Sequence, residues 1–256
     1  MRVLFFKLII VVMKKLIFSL LTIFVVMLSC KNETEELNLD YGYEYFPIEV
    51  NRSVTYQVDT TFYDDFADTV YTVTSQVKEV IVAEDSTDLE GRPQVRIERY
   101  ERADANTSWE NIIPRVWYAV RSETEAERIE ENLRFLKLIF PVQNDRKWAG
   151  NAYIDTNDER WAYLDDWQYT YTEVGVAQTI NGQSFDKTAT VIQNDYCNLQ
   201  QRLYGKEIYA EGVGLVYKEL MNLQLEATSL PPKDTDPWPE RANVGEHIVW
   251  QVISFE

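Results

Sequence analysis

Of the residues able to do chemistry, histidine is the scarcest: His247 is the only one in 256 positions. A Ser-His-Asp or Cys-His mechanism would have to pass through it. Yet it stands at the head of an apolar run, Ile248 to Phe255, and no nucleophile motif accompanies it. With one His and two Cys, Cys30 and Cys197, a zinc site of His and Cys ligands is not available either. Carboxylates are the opposite case. The chain has 42 Asp and Glu, so composition permits a glycosidase-type pair, but such a pair is defined by a separation of about 5 to 9 Å across a cleft. Asp155, Asn157 and Glu159 place oxygen ligands at alternating positions, as calcium prefers. That segment lacks the glycine and the distant glutamate of a full calcium loop, and its plain reading is an acidic turn. No other cofactor is indicated, and the expectation is a protein that is not an enzyme.

The most extended pattern is aromatic. Trp167, Tyr169 and Tyr171 share one face of an alternating run, and Trp161 and Tyr163 precede them with the same parity. Flat rings on a sheet can stack on sugars, which makes these five the candidate ligand-binding residues for a glycan. The competing reading is core: aromatics are favoured in strands, and alternation by itself reports burial.

A different chemistry belongs to the N-terminal region. Residues 1–29 contain Arg2, Lys7, Lys14 and Lys15, no acidic residue, and otherwise mostly apolar side chains. Met13-Lys14-Lys15 followed by Leu16 to Leu28 is a complete signal peptide, which places the true start at Met13. Residues 16–28 are too short for a membrane span of roughly 20 residues, and extending back to Val3 would bury Lys14 and Lys15 at its middle. Met27-Leu28-Ser29-Cys30 resembles the bacterial lipobox, in which the cysteine sulfur takes a diacylglycerol and becomes the new N-terminus. Each acyl methylene adds about 0.8 kcal/mol of membrane affinity, so two or three chains anchor stably without a helix. The expected partner is therefore the membrane, through the lipid on Cys30.

Cleavage removes four basic residues and no acidic one, moving the formal net charge from −17 to about −21. Such a surface repels nucleic acid. With Cys30 acylated, Cys197 has no disulfide partner and reads as a small buried apolar residue. Residues 30–40 form the lipidated cysteine and an acidic tether. Acidic residues in this place also resemble the surface-export signal of Bacteroidetes-type lipoproteins, so the domain is expected at the outer membrane, facing the periplasm or exported to the cell surface.

Residues 41–256 read as a single β-rich domain. From Val54 onward the hydrophobic period is close to two: Tyr71, Val73, Val77 and Ile81 share one parity, and Val95 and Ile97 alternate with Arg96 and Glu98. Further strands are expected near 54–62, 116–120, 167–174, 185–193, 197–204 and 213–226. Asn181-Gly182 is the clearest hairpin turn. Residues 123–136 hold the one run of good helix formers, with Ala126, Ile129, Leu133 and Leu136 in a helical stripe. Residues 229–242 hold four of the eight prolines and cannot be a central strand. They read as a surface loop within the domain, leading to a last strand over 244–255 whose two apolar faces place it inside a sheet. The predicted fold is all-β, an antiparallel two-layer sandwich or a strongly curved sheet with at most one short helix.

One internal echo stands out. Phe46-Pro47-Ile48, with Arg52 and Val54, recurs at an offset of 94 as Phe140-Pro141-Val142, with Arg146 and Trp148. Asn51 and Asp145 then fall where the chain must turn, as residue types that tolerate left-handed backbone. Chance, shared strand-entry geometry and duplication each account for five matched positions. The same segments carry a family likeness. Tyr45 to Tyr56, Leu138-Ile139-Phe140-Pro141 with Trp148 to Tyr153, and Glu207-Ile208-Tyr209-Ala210-Glu211-Gly212-Val213-Gly214-Leu215-Val216-Tyr217-Lys218-Glu219 resemble three motifs of uncharacterised Bacteroidetes-type outer-membrane lipoproteins. Asn51 and Asp145 stand where that pattern has Gly, and Val54 where it has Trp. The resemblance implies an envelope location and β architecture, with no activity attached. Gly212-Val213-Gly214 lacks the Lys-Ser/Thr and helix of a phosphate loop and reads as a tight turn. The expected role is a non-catalytic binding or structural component of the outer membrane. The rival readings are a glycan-binding module and a carrier of a lipid or other apolar ligand in a curved sheet.

Overall fold

The computed structural model describes residues 40–88, 90–225 and 237–256, together with Met13 and Lys15. The expected signal peptide apart from Met13 and Lys15, the expected lipidation site Cys30, the tether before Asp40 and the proline-rich stretch up to Asp236 lie outside the described residues. Residues Asp40–Glu256 form a compact unit of their own.

The period-two pattern becomes twelve strands: β1 (Ser53–Asp64), β2 (Thr69–Thr87), β3 (Pro93–Arg102), β4 (Arg115–Arg121), β5 (Glu125–Glu130), β6 (Leu133–Ile139), β7 (Lys147–Ala149), β8 (Gln168–Ile180), β9 (Gln183–Cys197), β10 (Gln201–Ala210), β11 (Gly214–Gln224) and β12 (Val244–Phe255). They form one sheet in the order β6-β5-β4-β3-β2-β1-β12-β11-β10-β9-β8-β7. The sandwich alternative is thereby corrected. A single antiparallel sheet curls until its ends meet, where Leu136 N–H donates to the Gly150 carbonyl at 2.8 Å. Curling into a nearly closed barrel buries one face and satisfies most strand edges at once.

The helix expected within 123–136 is also corrected. Those residues form the β5–β6 hairpin, turning at Glu131 and Asn132, whose φ values of 50° and 67° are those of a tight hairpin turn. Good helix formers yield here because β5 and β6 gain ladder hydrogen bonds and cross-strand packing that a short surface helix would not. Asn181 and Gly182 turn β8 into β9 with φ of 48° and 78°, as the sequence indicated. The expected strand at 197–204 is instead the end of β9, a turn at 198–200 and the start of β10. β12 lies between β1 and β11, inside the sheet as its two apolar faces predicted.

The topology is two equal meanders, β1–β6 and β7–β12, joined head to tail in both directions. The sequence echo marks the start of each. Before β1, Asn51 N–H bonds the Ile81 carbonyl, Ile81 N–H bonds the Arg52 carbonyl, and Arg52 N–H bonds the Glu49 carbonyl, at 2.8, 2.9 and 3.4 Å. Before β7 the same three bonds run from Asp145 to Tyr171, from Tyr171 to Arg146 and from Arg146 to Gln143, at 2.9, 3.1 and 3.4 Å. Asn51 and Asp145 have φ of 74° and 65°, which is why small polar residues or glycine suit those positions.

Candidate functional site

The aromatic stripe lies in the core. Trp167, Tyr169 and Tyr171 are 5%, 1% and 0% exposed. Tyr169 and Tyr171 flank Trp148, with ring centroids 5.7 and 4.5 Å away, and the Tyr169 ring lies so close to Gly150 that any Cβ there would sit 2.3 Å from it. Their polar ends are used internally: Tyr169 OH donates to Asn151 Oδ1 at 3.0 Å, and Trp167 Nε1 donates to the Tyr163 carbonyl at 2.7 Å. Trp161 and Tyr163 are half-buried around the 3-10 turn Ala162–Leu164, before β8 begins. No sugar can stack on Trp167, Tyr169 or Tyr171 while they are so enclosed, and Trp161 and Tyr163 pack partly buried against the same core. Fully burying each large ring stabilises the fold by roughly 2–3 kcal/mol.

The calcium candidates do not assemble either. Asp155, Asn157 and Glu159 are exposed. Asp155 Oδ1 accepts hydrogen bonds from both the backbone and side-chain amide of Asn157, the local turn that Asp and Asn favour. Asp158 is held by Arg160. Among the described residues no group of three His, Cys, Asp or Glu side chains could hold a metal ion. Cys197, expected inside, is exposed at the end of β9, because the strand there has already left the core for the turn at 198–200. His247 Nε2 meets Glu219 Oε1 at 3.0 Å across β11 and β12. Gly212 and Gly214 have φ of 74° and 92° in the β10–β11 connection, the tight turn expected there.

The interior of the barrel holds what the sequence did not announce. Lys137 on β6 bonds Glu207 on β10 at 2.9 Å and lies 3.4 Å from Glu130 on β5. Arg128 on β5 pairs with Glu79 on β2 at 3.0 Å. β6 and β10 are not neighbours in the sheet, nor are β5 and β2, so those two pairs meet only across the interior, while Lys137 and Glu130 stand on adjacent strands. Lys218 and Arg99 complete the group, and Glu101 lies 3.8 Å from Arg99 at its margin. Both cations also rest on indole faces: Arg99 lies 4.8 Å from Trp117 and 5.0 Å from Trp250, and Lys218 lies 5.4 Å from Trp250. Such contacts are worth most where water is excluded.

Electrostatics keep this cluster ionised. Burial alone would raise Glu130, but Lys137, Lys218 and Arg128 outweigh it and hold its carboxyl at about 2. Glu207 is likewise lowered: burial opposes it, and Lys137 and Lys218 prevail. Burial would lower Lys137, yet Glu130 and Glu207 raise it. Lys218 is pushed down by burial, which its carboxylate neighbours do not fully offset. The two carboxylates that converge on Lys137 therefore carry no proton to donate near neutral pH. The space among these side chains is about 10 Å³, room for one water at most.

Above the cluster lies an apolar cleft. Glu79, Arg128, Tyr209 and Leu215 line both spaces, so the charged group is the floor of the cleft. Its walls include Tyr56, Ile81, Ile97 and Ala119. Its mouth is formed by Phe46, Pro47 and Arg52 from the segment before β1, opposite Val213 and Gly214. Arg52 spans that mouth, donating from Nη2 to the Gly212 carbonyl. The cleft encloses about 540 Å³ counted out to open solvent, of which about 70 Å³ is clear enough for water-sized guests. At the floor, Glu79 Oε1 is buried without a hydrogen bond among the described residues, whereas Arg128 Nε lies 3.6 Å from Glu130 Oε1 in the charged group below.

An exposed aromatic groove lies on the same end of the barrel. Tyr41 and Tyr43 stack at 5.5 Å, and Tyr43 meets Phe140 edge-on at 4.7 Å. Arg121 ties this segment down through the carbonyls of Tyr43 and Phe46. The sequence signal for the interior cluster was present in parity: Arg128 and Glu130 alternate with Ile129 on a strand, and Glu207 shares parity with Leu203 and Tyr209. Charged residues on a buried parity mark an interior polar site.

No family model and no curated relative matches the chain. Among solved structures it is similar to a protein of Bacteroides fragilis, described as exported and with a YmcC-like fold, at 11% identity and a TM-score of 0.34. That match covers 82% of this chain and 98% of the other. It is also similar to a Vibrio parahaemolyticus protein described as an outer membrane lipoprotein-sorting protein domain, at 8% identity and a TM-score of 0.20, over 80% of this chain and 85% of the other. Similarity at this level carries nothing further, and the functional reading rests on the cleft and its floor.

Proposed function

We propose that this is a lipid-anchored envelope protein, tethered through Cys30, whose barrel is a non-catalytic carrier of a slender apolar ligand with a polar head. The observation that carries the reading is the apolar cleft that ends on the Glu79–Arg128 pair. Its clear space of about 70 Å³ admits a short, slender apolar segment and no whole two-chain lipid, and ligand sites are commonly apolar walls with a few convergent polar groups. A head that donates a hydrogen bond fits the buried, unsatisfied Glu79 Oε1. The mouth lies at the end of the barrel where the chain arrives through Asp40.

The test uses residues 40–256 and a fluorescent single-chain fatty acid. The wild-type domain is expected to bind it with micromolar affinity, and Ile81→Trp, which fills the upper cleft, to weaken binding at least tenfold with an unchanged melting curve. Absence of binding, or equal binding by the variant, overturns the carrier reading and leaves a structural role at the envelope.

A further inference from the structure

Along most of its length β2 is a central strand, but its first third is not. β2 pairs with β1 from Thr69 onward, whereas its ladder with β3 begins at Gln76, opposite Arg102. Among the described residues no strand flanks Thr69–Ser75 on that second side. The end of β1 and the start of β2 therefore form a two-stranded ribbon with one open edge. Residues 65–74 are all exposed, with Phe66, Val70, Tyr71 and Val73 exposed by 99%, 59%, 50% and 49%.

An open edge presents a row of unpaired N–H and C=O groups, and proteins usually blunt it with lysine, proline or a bulge. This one has none of these. Thr69-Val70-Tyr71-Thr72-Val73-Thr74-Ser75 contains no charged residue, no Pro and no Gly, and its register with β1 runs unbroken. That is notable in a chain carrying 42 Asp and Glu. Five β-branched residues and a tyrosine in seven positions suit strand pairing.

We propose that this edge pairs with the same edge of a second copy, joining two barrels through an antiparallel β2–β2 ladder centred on Thr72. Identical strands meeting antiparallel across a two-fold axis must be self-complementary, and this segment is. With Thr72 opposite itself, Tyr71 faces Val73 and Val70 faces Thr74, so aromatic meets β-branched, threonine meets threonine, and no like charges oppose. The seven residues give about 23 Å of ladder. A charged or peptide-specific partner would call for complementary charges or pockets along the edge, and residues 69–75 offer neither.

The experiment is sedimentation of residues 40–256 carrying Cys197→Ser, which removes the exposed native thiol. A reversible dimer is expected, tightening as salt screens the repulsion between two acidic chains. Thr72→Lys, which sets two lysines face to face, is expected to weaken dimerisation at least tenfold without lowering the melting temperature. Thr72→Cys is expected to oxidise to a covalent dimer, because directly opposed residues have Cα atoms about 4.5 to 5.5 Å apart, within disulfide range. Tyr71→Cys, facing Val73, is expected not to. A monomer at every concentration without cross-linking, or equal cross-linking of both cysteine variants, overturns the proposal. The first outcome would leave the edge to an extended segment of a different protein.

Discussion

The two halves of the barrel meet twice, and the two seams are built differently. Where β1 meets β12, main chain zips to main chain from Val54 opposite Phe255 to Tyr63 opposite Gly245, and Ser53 and Glu256 exchange two further bonds at 3.0 and 2.9 Å. Where β6 meets β7, side chains do most of the closing, beside the one main-chain bond from Leu136 to Gly150. Tyr171 reaches from β8 so that its hydroxyl accepts from Ile139 N–H and donates to the Ile139 carbonyl, at 3.0 and 2.9 Å. Trp148 Nε1 donates to the Leu136 carbonyl at 2.9 Å. From within, Lys137 ties β6 to β10. The same topological junction is thus a ladder on one side and a set of individual contacts on the other. A ladder spreads stability over many equivalent bonds, while a side-chain seam concentrates it in a few residues that single substitutions reach.

The sharpest way to break the contrast is Lys137→Met. It removes the cation on which Glu130 and Glu207 converge and leaves them with Lys218 and Arg128 alone, and a loss of about 3–5 kcal/mol is expected in urea unfolding. Amide exchange should then accelerate first in β6 and last in β1 and β12. Acid should act on the same seam. The Glu130 carboxyl is held at about 2, below the usual 4.3 or so of a free glutamate. Its ionised form therefore contributes stability that is complete above about pH 4.3 and lost as pH falls towards 2, on the order of 3 kcal/mol. Glu130→Gln should flatten that acid limb in a pH series of unfolding curves. Tyr171→Phe removes the hydroxyl alone and leaves both Ile139 backbone groups without their partner, for a loss of about 1–3 kcal/mol. The smallest effect should come from the paired turns. Asn51→Gly and Asp145→Gly should each change stability by less than about 1 kcal/mol, because the native residues already tolerate positive φ. Equal shifts in thermal melts would show that the two turns are energetically equivalent although the seams behind them are not.

Much of this architecture was legible in the sequence because alternation is a local signal. The bounds of β12, the Asn181-Gly182 turn and the left-handed positions at Asn51 and Asp145 all follow from residue type and spacing. The β5–β6 hairpin was not legible, since Glu-Ala-Glu-Arg-Ile-Glu-Glu is as compatible with a helix as with a strand until its neighbours in the sheet decide. That misreading hid the site, because Arg128, Glu130 and Lys137 look like a solvated face on a helix and become an interior triad on paired strands. The aromatic stripe shows the converse limit: period two identifies a face, while whether that face meets ligand or core depends on Trp148 and Gly150 packing over it. The cleft could not be read at all, since its walls come from strands far apart in the chain.

The β1–β12 pairing has a consequence in time. Within each meander, successive strands pair as hairpins or short returns, so each new strand finds its neighbour already present. The single exception joins residues about 200 positions apart, Val54 with Phe255, at a high cost in chain closure. Until β12 has emerged behind the eleven strands before it, β1 and β11 both present raw edges and no barrel exists. Synthesis therefore leaves a pair of open sheets until its last strand is made, and closure comes as one late step.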